Sequence, residues 1–134
     1  MLTDRLGLAG PVLDDVVDEV TAPGALGEFG VLPNHIAFLT LLVPGEMSYK
    51  EGTTRHYLAV SGGYAEVLDN VMTVLAPAAE FAGEIDTSRA RQAKEFAEIK
   101  IGELNYEDKE FKTAEAALLW ANARLNVAAK EARK

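Results

Sequence analysis

No cysteine occurs among the 134 residues, so neither a disulfide framework nor a thiolate metal site can form. Histidine is almost as scarce. His35 and His56 are too few and too far apart for a convincing imidazole metal site. No stretch approaches the ~18 consecutive apolar residues of a membrane span. No N-terminal apolar run has the length or flanks of a secretion signal. The simplest expectation is a soluble cytoplasmic protein, attached to a membrane, if at all, through partners and without direct insertion.

Positive charge is also short in supply over the first part of the chain. Residues 1–84 hold 12 acidic and 3 basic side chains, a net of −9; residues 85–134 hold 9 and 10, a net of +1. Within the second part, residues 112–134 carry 5 basic and 2 acidic side chains, a net of +3. An acidic body argues against general nucleic-acid binding. The basic end has two readings. Cations complement the negative pole of a helix C-terminus, or they meet an acidic partner surface.

Catalytic patterns are missing as well. Gly24, Gly27 and Gly30 stand three apart with no Lys-Ser/Thr to grip phosphate, so they are not a phosphate-binding loop. Ser61 in Val60-Ser61-Gly62-Gly63 lacks the preceding glycine of a nucleophile elbow and reads as a turn hydroxyl. His35 follows Pro33-Asn34 and reads as a loop tip; His56 reads as a packed or edge residue. We therefore expect no catalytic residue, no metal site and no enzymatic activity.

What is present is a change of period. Up to about Pro77 the chain reads as short strands between turns. Val16, Val17, Val20 and Thr21 suit one strand ending at Pro23-Gly24. Phe29 to Leu32 suits another, stopped by Pro33. Ile36 to Val43 is a nearly continuous apolar run, as in a strand buried on both faces, and Pro44-Gly45 is expected to end it. Met47 to Lys50 and Arg55 to Val60 flank the hairpin signal Glu51-Gly52-Thr53. Tyr64 to Leu68 and Val71 to Leu75 flank Asp69-Asn70, a pair tolerant of φ > 0. The spacing suggests a small sandwich or flattened barrel.

Beyond Pro77 helical spacing takes over. Asp86 suits an N-cap, with Ile85 before it able to staple onto Ala90. Ala90, Ala93, Ala97, Ile101 and Leu104 then recur on one face. Gly102 and Asn105 to Asp108 interrupt, with Asp108 a candidate second cap. Phe111, Ala114, Leu118, Ala121, Leu125 and Ala128 follow at alternating spacings of three and four, a seam of the kind used in close helix pairs. The expected fold is a β-sandwich N-terminal domain, residues 1–84, followed by a two-helix antiparallel hairpin, residues 85–134.

Two glycine-containing blocks stand out: Gly27-Glu28-Phe29-Gly30-Val31-Leu32-Pro33-Asn34-His35 and Ala59-Val60-Ser61-Gly62-Gly63-Tyr64-Ala65-Glu66-Val67. Their glycines mark places where the backbone takes φ > 0 or approaches another strand closely. With the Pro23-Gly24 turn, the block Ile85-Asp86-Thr87-Ser88-Arg89-Ala90 and the alanine-rich tail, the chain resembles the epsilon subunits of bacterial F-type ATP synthases, from about Pro11 to its C-terminus. That resemblance implies a ten-stranded sandwich and a non-catalytic rotor subunit. It implies binding to the gamma subunit of the central stalk and contact with the c-ring through the segment from Glu28 to His35. The hairpin would move between a folded state beside the sandwich and an extended state reaching the alpha/beta hexamer. There a basic face formed by Arg124, Lys130, Arg133 and Lys134 would block ATP hydrolysis. The implied location is peripheral, on the cytoplasmic face of the bacterial inner membrane as part of F1.

Residues 85–90 also resemble the nucleotide motif of the family's ATP-binding members. The resemblance implies that Ile85, Asp86, Arg89 and Ala90, with Glu80 and Arg124, could meet ATP. Phe96 and Trp120 stand where the best binders carry further arginines. Each lost guanidinium removes charge-assisted hydrogen bonds worth ~1.5–3 kcal/mol, so weak ATP binding or none is expected, and no other cofactor. Leu2 to Gly10, with two glycines and weak alternation, departs from the family's opening strand, which is expected to be short or distorted here. The rival reading is a free-standing nucleotide-sensing module whose hairpin closes on a ligand. A small hydrolase using His35 is a third reading with little support.

Overall fold

A computed structural model of the chain describes residues 6–9, 14–34 and 37–132, with side chains over 15–34 and 37–130. The strands are β1 Leu6–Ala9, β2 Asp14–Val17, β3 Glu19–Gly24, β4 Gly27–Val31, β5 Phe38–Glu51, β6 Thr54–Leu68, β7 Val71–Leu75 and β8 Ala79–Phe81. A 3-10 turn at Ala82–Glu84 leads into helices α1 Thr87–Glu103 and α2 Lys109–Ala132. The opening strand is short over its described residues; Met1 to Arg5 lie outside them.

The hydrogen-bonded strand order is β2-β1-β7-β6-β5-β3-β4, with β8 pairing on β6. This one path folds into two layers because β5 and β6 are long and turn a corner together. Along β5 the inward side chains are Leu42 and then Met47 and Tyr49; along β6 they are Leu58 and Val60, then Ala65 and Val67. Side chains alternate along a strand, so both strands switch which parity faces the core, between 42 and 47 and between 60 and 65. One layer is β2-β1-β7 with the Tyr64 end of β6 and the Phe38 end of β5. The other is β8 with the Thr54 end of β6, the Glu51 end of β5, β3 and β4. Counting each half of β5 and β6 separately gives five strand segments per layer.

Pro44-Gly45 does not end the strand, as the sequence pattern suggested. β5 runs through it, with Pro44 opposite Ser61 and Gly45 opposite Val60. The corner is made tolerable by the partner strand, where Gly62 and Gly63 hold φ of +109° and +108°. Ala78 N–H donates to Ser61 Oγ at 2.8 Å, which ties the corner to β8. Nor is there one strand from Val16 to Thr21. The chain bends at Asp18, whose carboxylate accepts the Gly52 N–H at 2.6 Å, and β2 and β3 enter different layers.

The two hairpin turns are where the sequence placed them. Gly52 closes β5 onto β6 with φ +62°, and Asp69-Asn70 closes β6 onto β7 with φ of +50° and +62°. Val17, Val20, Val31, Val60, Val67 and Met72 fill the space between layers. Tyr49 lies in that core, stacked on His56 with centroids 4.9 Å apart. Burial, and then the carboxylates of Glu51 and Asp15, hold its phenol above the ordinary tyrosine pKa.

Asp86 caps α1: its carboxylate accepts the Arg89 N–H at 3.1 Å. The Asp108 carboxylate instead accepts the Asn105 N–H at 3.1 Å, closing the interhelical loop from just before α2. Ala90, Ala97, Ala114 and Ala121 are buried in the helical region, as expected; Ala93 is exposed, because the seam passes beside it.

Candidate functional site

Two outer surfaces of the sandwich differ in kind. The first is apolar and open. Leu41 pairs with Tyr64, which pairs with Leu75; Leu68 pairs with Val71; Leu39 pairs with Glu66. These side chains alternate with core residues and so share the outer face of the β1-containing layer. Leu39 and Leu41 are each 66% exposed, and Tyr64, Leu68, Val71 and Leu75 are exposed as well. The expectation that the Ile36 to Val43 run is buried on both faces therefore fails in the free chain. Apart from Thr40 its described residues are apolar, but only the face of Phe38 and Leu42 meets the core. The row Leu39–Glu66–Thr73 places polar groups between the apolar rows on either side. An exposed sheet face this rich in apolar side chains is a candidate docking surface.

The second surface is the outer face of the other layer, and α2 covers it. Ala59 is fully buried against Ala123 and Val127, with Tyr57, Ala82, Ile85 and Trp120 packed around them. The buried side chains are small, so at ~25 cal/mol per Å² their contribution to docking is modest. Charge contacts flank them. Arg124 Nε lies 2.7 Å from Glu80 Oε1, and its guanidinium stands 5.5 Å from the Trp120 ring centre. Neither of those two atoms makes a well-aligned hydrogen bond, so the contact is an ion pair rather than a directed bond. Lys130 pairs with Glu46 and sits 4.7 Å over the Tyr57 ring.

The residues singled out from the sequence divide between these surfaces and the helix start. Arg124 on α2 meets Glu80 on β8, and Ile85 packs against the buried cluster of Ala59, Ala123 and Val127. Asp86 and Arg89 are joined by the cap, with both side chains exposed, and Ala90 is buried. Glu28 is exposed on β4, opposite Pro23. His35, Arg133 and Lys134 lie outside the described residues. Among the described residues no cluster of histidine and carboxylate side chains could hold a metal ion. No helix among them is long and apolar enough to cross a membrane.

Arg124 and Lys130 are not free in this conformation: each is already held by an acid of the sandwich. Sequence reading missed Glu46, Tyr57 and the second face of α2. The signal was available in Trp120, Ala123, Val127 and Lys130, spaced three, four and three, a second stripe beside the one assigned to the hairpin seam. The apolar outer face was likewise legible in the alternation of Tyr64, Glu66 and Leu68 with Val71, Thr73 and Leu75.

Comparison with known proteins gives a consistent result. A family model described as the beta-sandwich domain of the ATP synthase delta/epsilon chain matches residues 8–82. The long alpha-helix domain of the same chain matches residues 84–129. An ATP synthase epsilon chain of Syntrophobacter fumaroxidans is 55% identical over 119 residues, which span 89% of this chain and 88% of that one. One from Geobacter metallireducens is 52% identical over 123 residues, 92% and 89% of the two chains. Among solved structures, a chain of the Euglena gracilis mitochondrial ATP synthase (OSCP/F1/c-ring) superposes with a TM-score of 0.76 at 23% identity. It covers 100% of this chain and 84% of that chain. A chain of the Tetrahymena thermophila mitochondrial ATP synthase central stalk and c-ring gives 0.55 at 16% identity, covering 95% and 94%. These two share the fold.

Proposed function

The chain belongs to the ATP synthase delta/epsilon family, among its epsilon chains, as a non-catalytic subunit, and from that premise we propose that it is a rotor subunit with two working surfaces. The open apolar face around Leu41, Tyr64 and Leu75 binds the gamma subunit of the central stalk. This face is the observation that carries the reading: it lies on the outer side of the layer that α2 does not cover. The edge strand β4 with Glu28, and the loop that follows it toward His35, meets the c-ring. The protein is thereby held at the membrane as a peripheral part of F1, on the cytoplasmic face in a bacterium.

The sandwich of residues 1–84 supplies assembly, and the hairpin of residues 85–134 supplies regulation. In an extended state the basic face of α2 (Arg124 and Lys130, with Arg133 and Lys134 beyond) meets acidic surfaces of the alpha/beta hexamer and slows ATP hydrolysis. The test is the hydrolysis rate of assembled F1 carrying either the full chain or a chain ending at Glu84. We expect the shortened chain to co-purify with gamma and hydrolysis to rise at least about twofold, a change of ~0.4 kcal/mol in barrier. An unchanged rate in an intact complex would remove the inhibitory role.

ATP itself is a weak ligand in this reading. Glu80 and Arg124 already neutralise one another, and Phe96 and Trp120 offer no charge to phosphate. Binding in the millimolar range or weaker corresponds to about −4 kcal/mol or less favourable. Calorimetry on the isolated chain that found micromolar binding would overturn this and favour a nucleotide-sensing module.

A further inference from the structure

The contact between α2 and the sandwich has a built-in ruler. Glu46 on β5 pairs with Ala59 on β6, and Ala59 pairs with Glu80 on β8. The three form one cross-strand row, acid, alanine, acid, on the face that α2 covers. Adjacent strands are ~4.8 Å apart, so the two acids are anchored about 10 Å from each other. On α2 the cations Arg124 and Lys130 are six residues apart, about 9 Å at 1.5 Å per residue. Val127, fully buried beside Ala59, lies midway between them. At about 100° per residue, each cation projects roughly 60° to one side of the Val127 line. The helix therefore straddles the row with its apolar centre on the alanine and one cation over each acid. Each cation also has an aromatic ring beneath it, Trp120 for Arg124 and Tyr57 for Lys130.

We propose that these two cation clamps, Glu80–Arg124–Trp120 and Glu46–Lys130–Tyr57, set the register of the docked hairpin and make its docking a salt-sensitive equilibrium. Sliding α2 by one turn would carry both cations off their acids at once. The buried centre is two alanines and a valine, ringed by the partly buried Tyr57, Ala82, Ile85 and Trp120. Apolar packing is non-directional, and the paired charges give it a fixed register. The Lys130 and Glu46 side chains keep 37% and 25% of their exposure, so added salt weakens that clamp as the Debye length falls from ~10 Å at 0.1 M to ~3 Å at 1 M. The buried Arg124 Nε and Glu80 Oε1 are screened much less and hold the register. The clamps occupy two of the four cations of the inhibitory face, Arg124 and Lys130. Docked, the hairpin masks that part of its own basic face; this consequence rests on the regulatory reading above, whereas the clamps do not.

The experiment uses the isolated full chain, with no other subunit, so its outcome is independent of whether the hairpin inhibits F1. Trp120 is the single tryptophan and lies in the docking contact. Its emission and acrylamide quenching report docking directly. Raising salt from 0.05 to 1 M (about 13 to 3 Å of screening) should expose Trp120 while far-UV ellipticity is retained. Glu46→Lys and Lys130→Glu should each expose it at low salt. The double variant, which swaps the charges, should restore protection to within about twofold of the parent, since paired residues couple and independent ones do not. Trp120 emission that responds neither to salt nor to either single variant would overturn the proposal. So would a swap that fails to recover what the single variants lose.

Discussion

Gly63→Ala is expected to remove about 3–5 kcal/mol of stability, the sum of a disfavoured φ and a steric overlap. A Cβ placed on Gly63 would collide with the Leu75 carbonyl oxygen and fall 2.9 Å from Ala76 Cα, both backbone atoms that cannot rotate away. The residue also holds φ +108°, which L side chains rarely adopt. Relief would require β6 and β7 to separate at the place where β6 turns between layers. For a chain of this length the midpoint of thermal unfolding should drop by at least about 10 °C. Gly52→Ala is the matched control. Gly52 also has positive φ, +62°, but an added Cβ meets nothing within 4 Å, so the change should cost only about 1–2 kcal/mol. Equal losses at the two positions would mean that the corner is not sterically fixed.

The second large effect is on assembly. Leu41→Glu combined with Leu75→Glu is expected to weaken binding to the gamma subunit at least a hundredfold. The two leucines flank Tyr64 in one cross-strand row. Burying two new carboxylates against an apolar partner surface, in place of the two leucine side chains, costs about 2–4 kcal/mol or more at an interface centre. The free chain should hardly notice, because both side chains are already exposed. Surface changes of this kind stay within about 0.5 kcal/mol. Titration of gamma with parent and variant, alongside thermal unfolding of each, separates the two effects. A variant that binds gamma as tightly as the parent would show that this face is not the interface.

The sequence made some features legible because their causes are local. Asp69-Asn70 and Gly52 announce turns by their own tolerance of positive φ, and Asp86 announces a helix start by its own side chain. β5 was misread because the cause is not local. Pro44-Gly45 ends an isolated strand, yet here two strands turn together, and the tolerance comes from Gly62 and Gly63 on the neighbour. The outer apolar face was misread because Ile36 to Val43 reads equally well as a strand between two covers, and the second cover belongs to another molecule in our account. On α2 the seam through Ala114 and Ala121 was found, but the face through Trp120, Ala123 and Val127 was not. Two stripes on one helix overlap in period, and the choice between them depends on partners far away in the chain. Lys130 and Glu46 are 84 residues apart, and no spacing rule connects them.

The central claim is that the apolar sheet face turns with the central stalk. The absence of native cysteine allows a direct test. Glu66 lies exposed in that face, between Leu39 and Thr73 on the flanking strands, and Glu66→Cys would introduce the only thiol in the chain. In assembled F1 paired with a gamma subunit bearing a single surface cysteine, oxidation should link the two, and ATP turnover should continue within about twofold, a barrier change under ~0.5 kcal/mol. A link to gamma that stops turnover, or an introduced thiol that links to alpha or beta and never to gamma, would contradict the account.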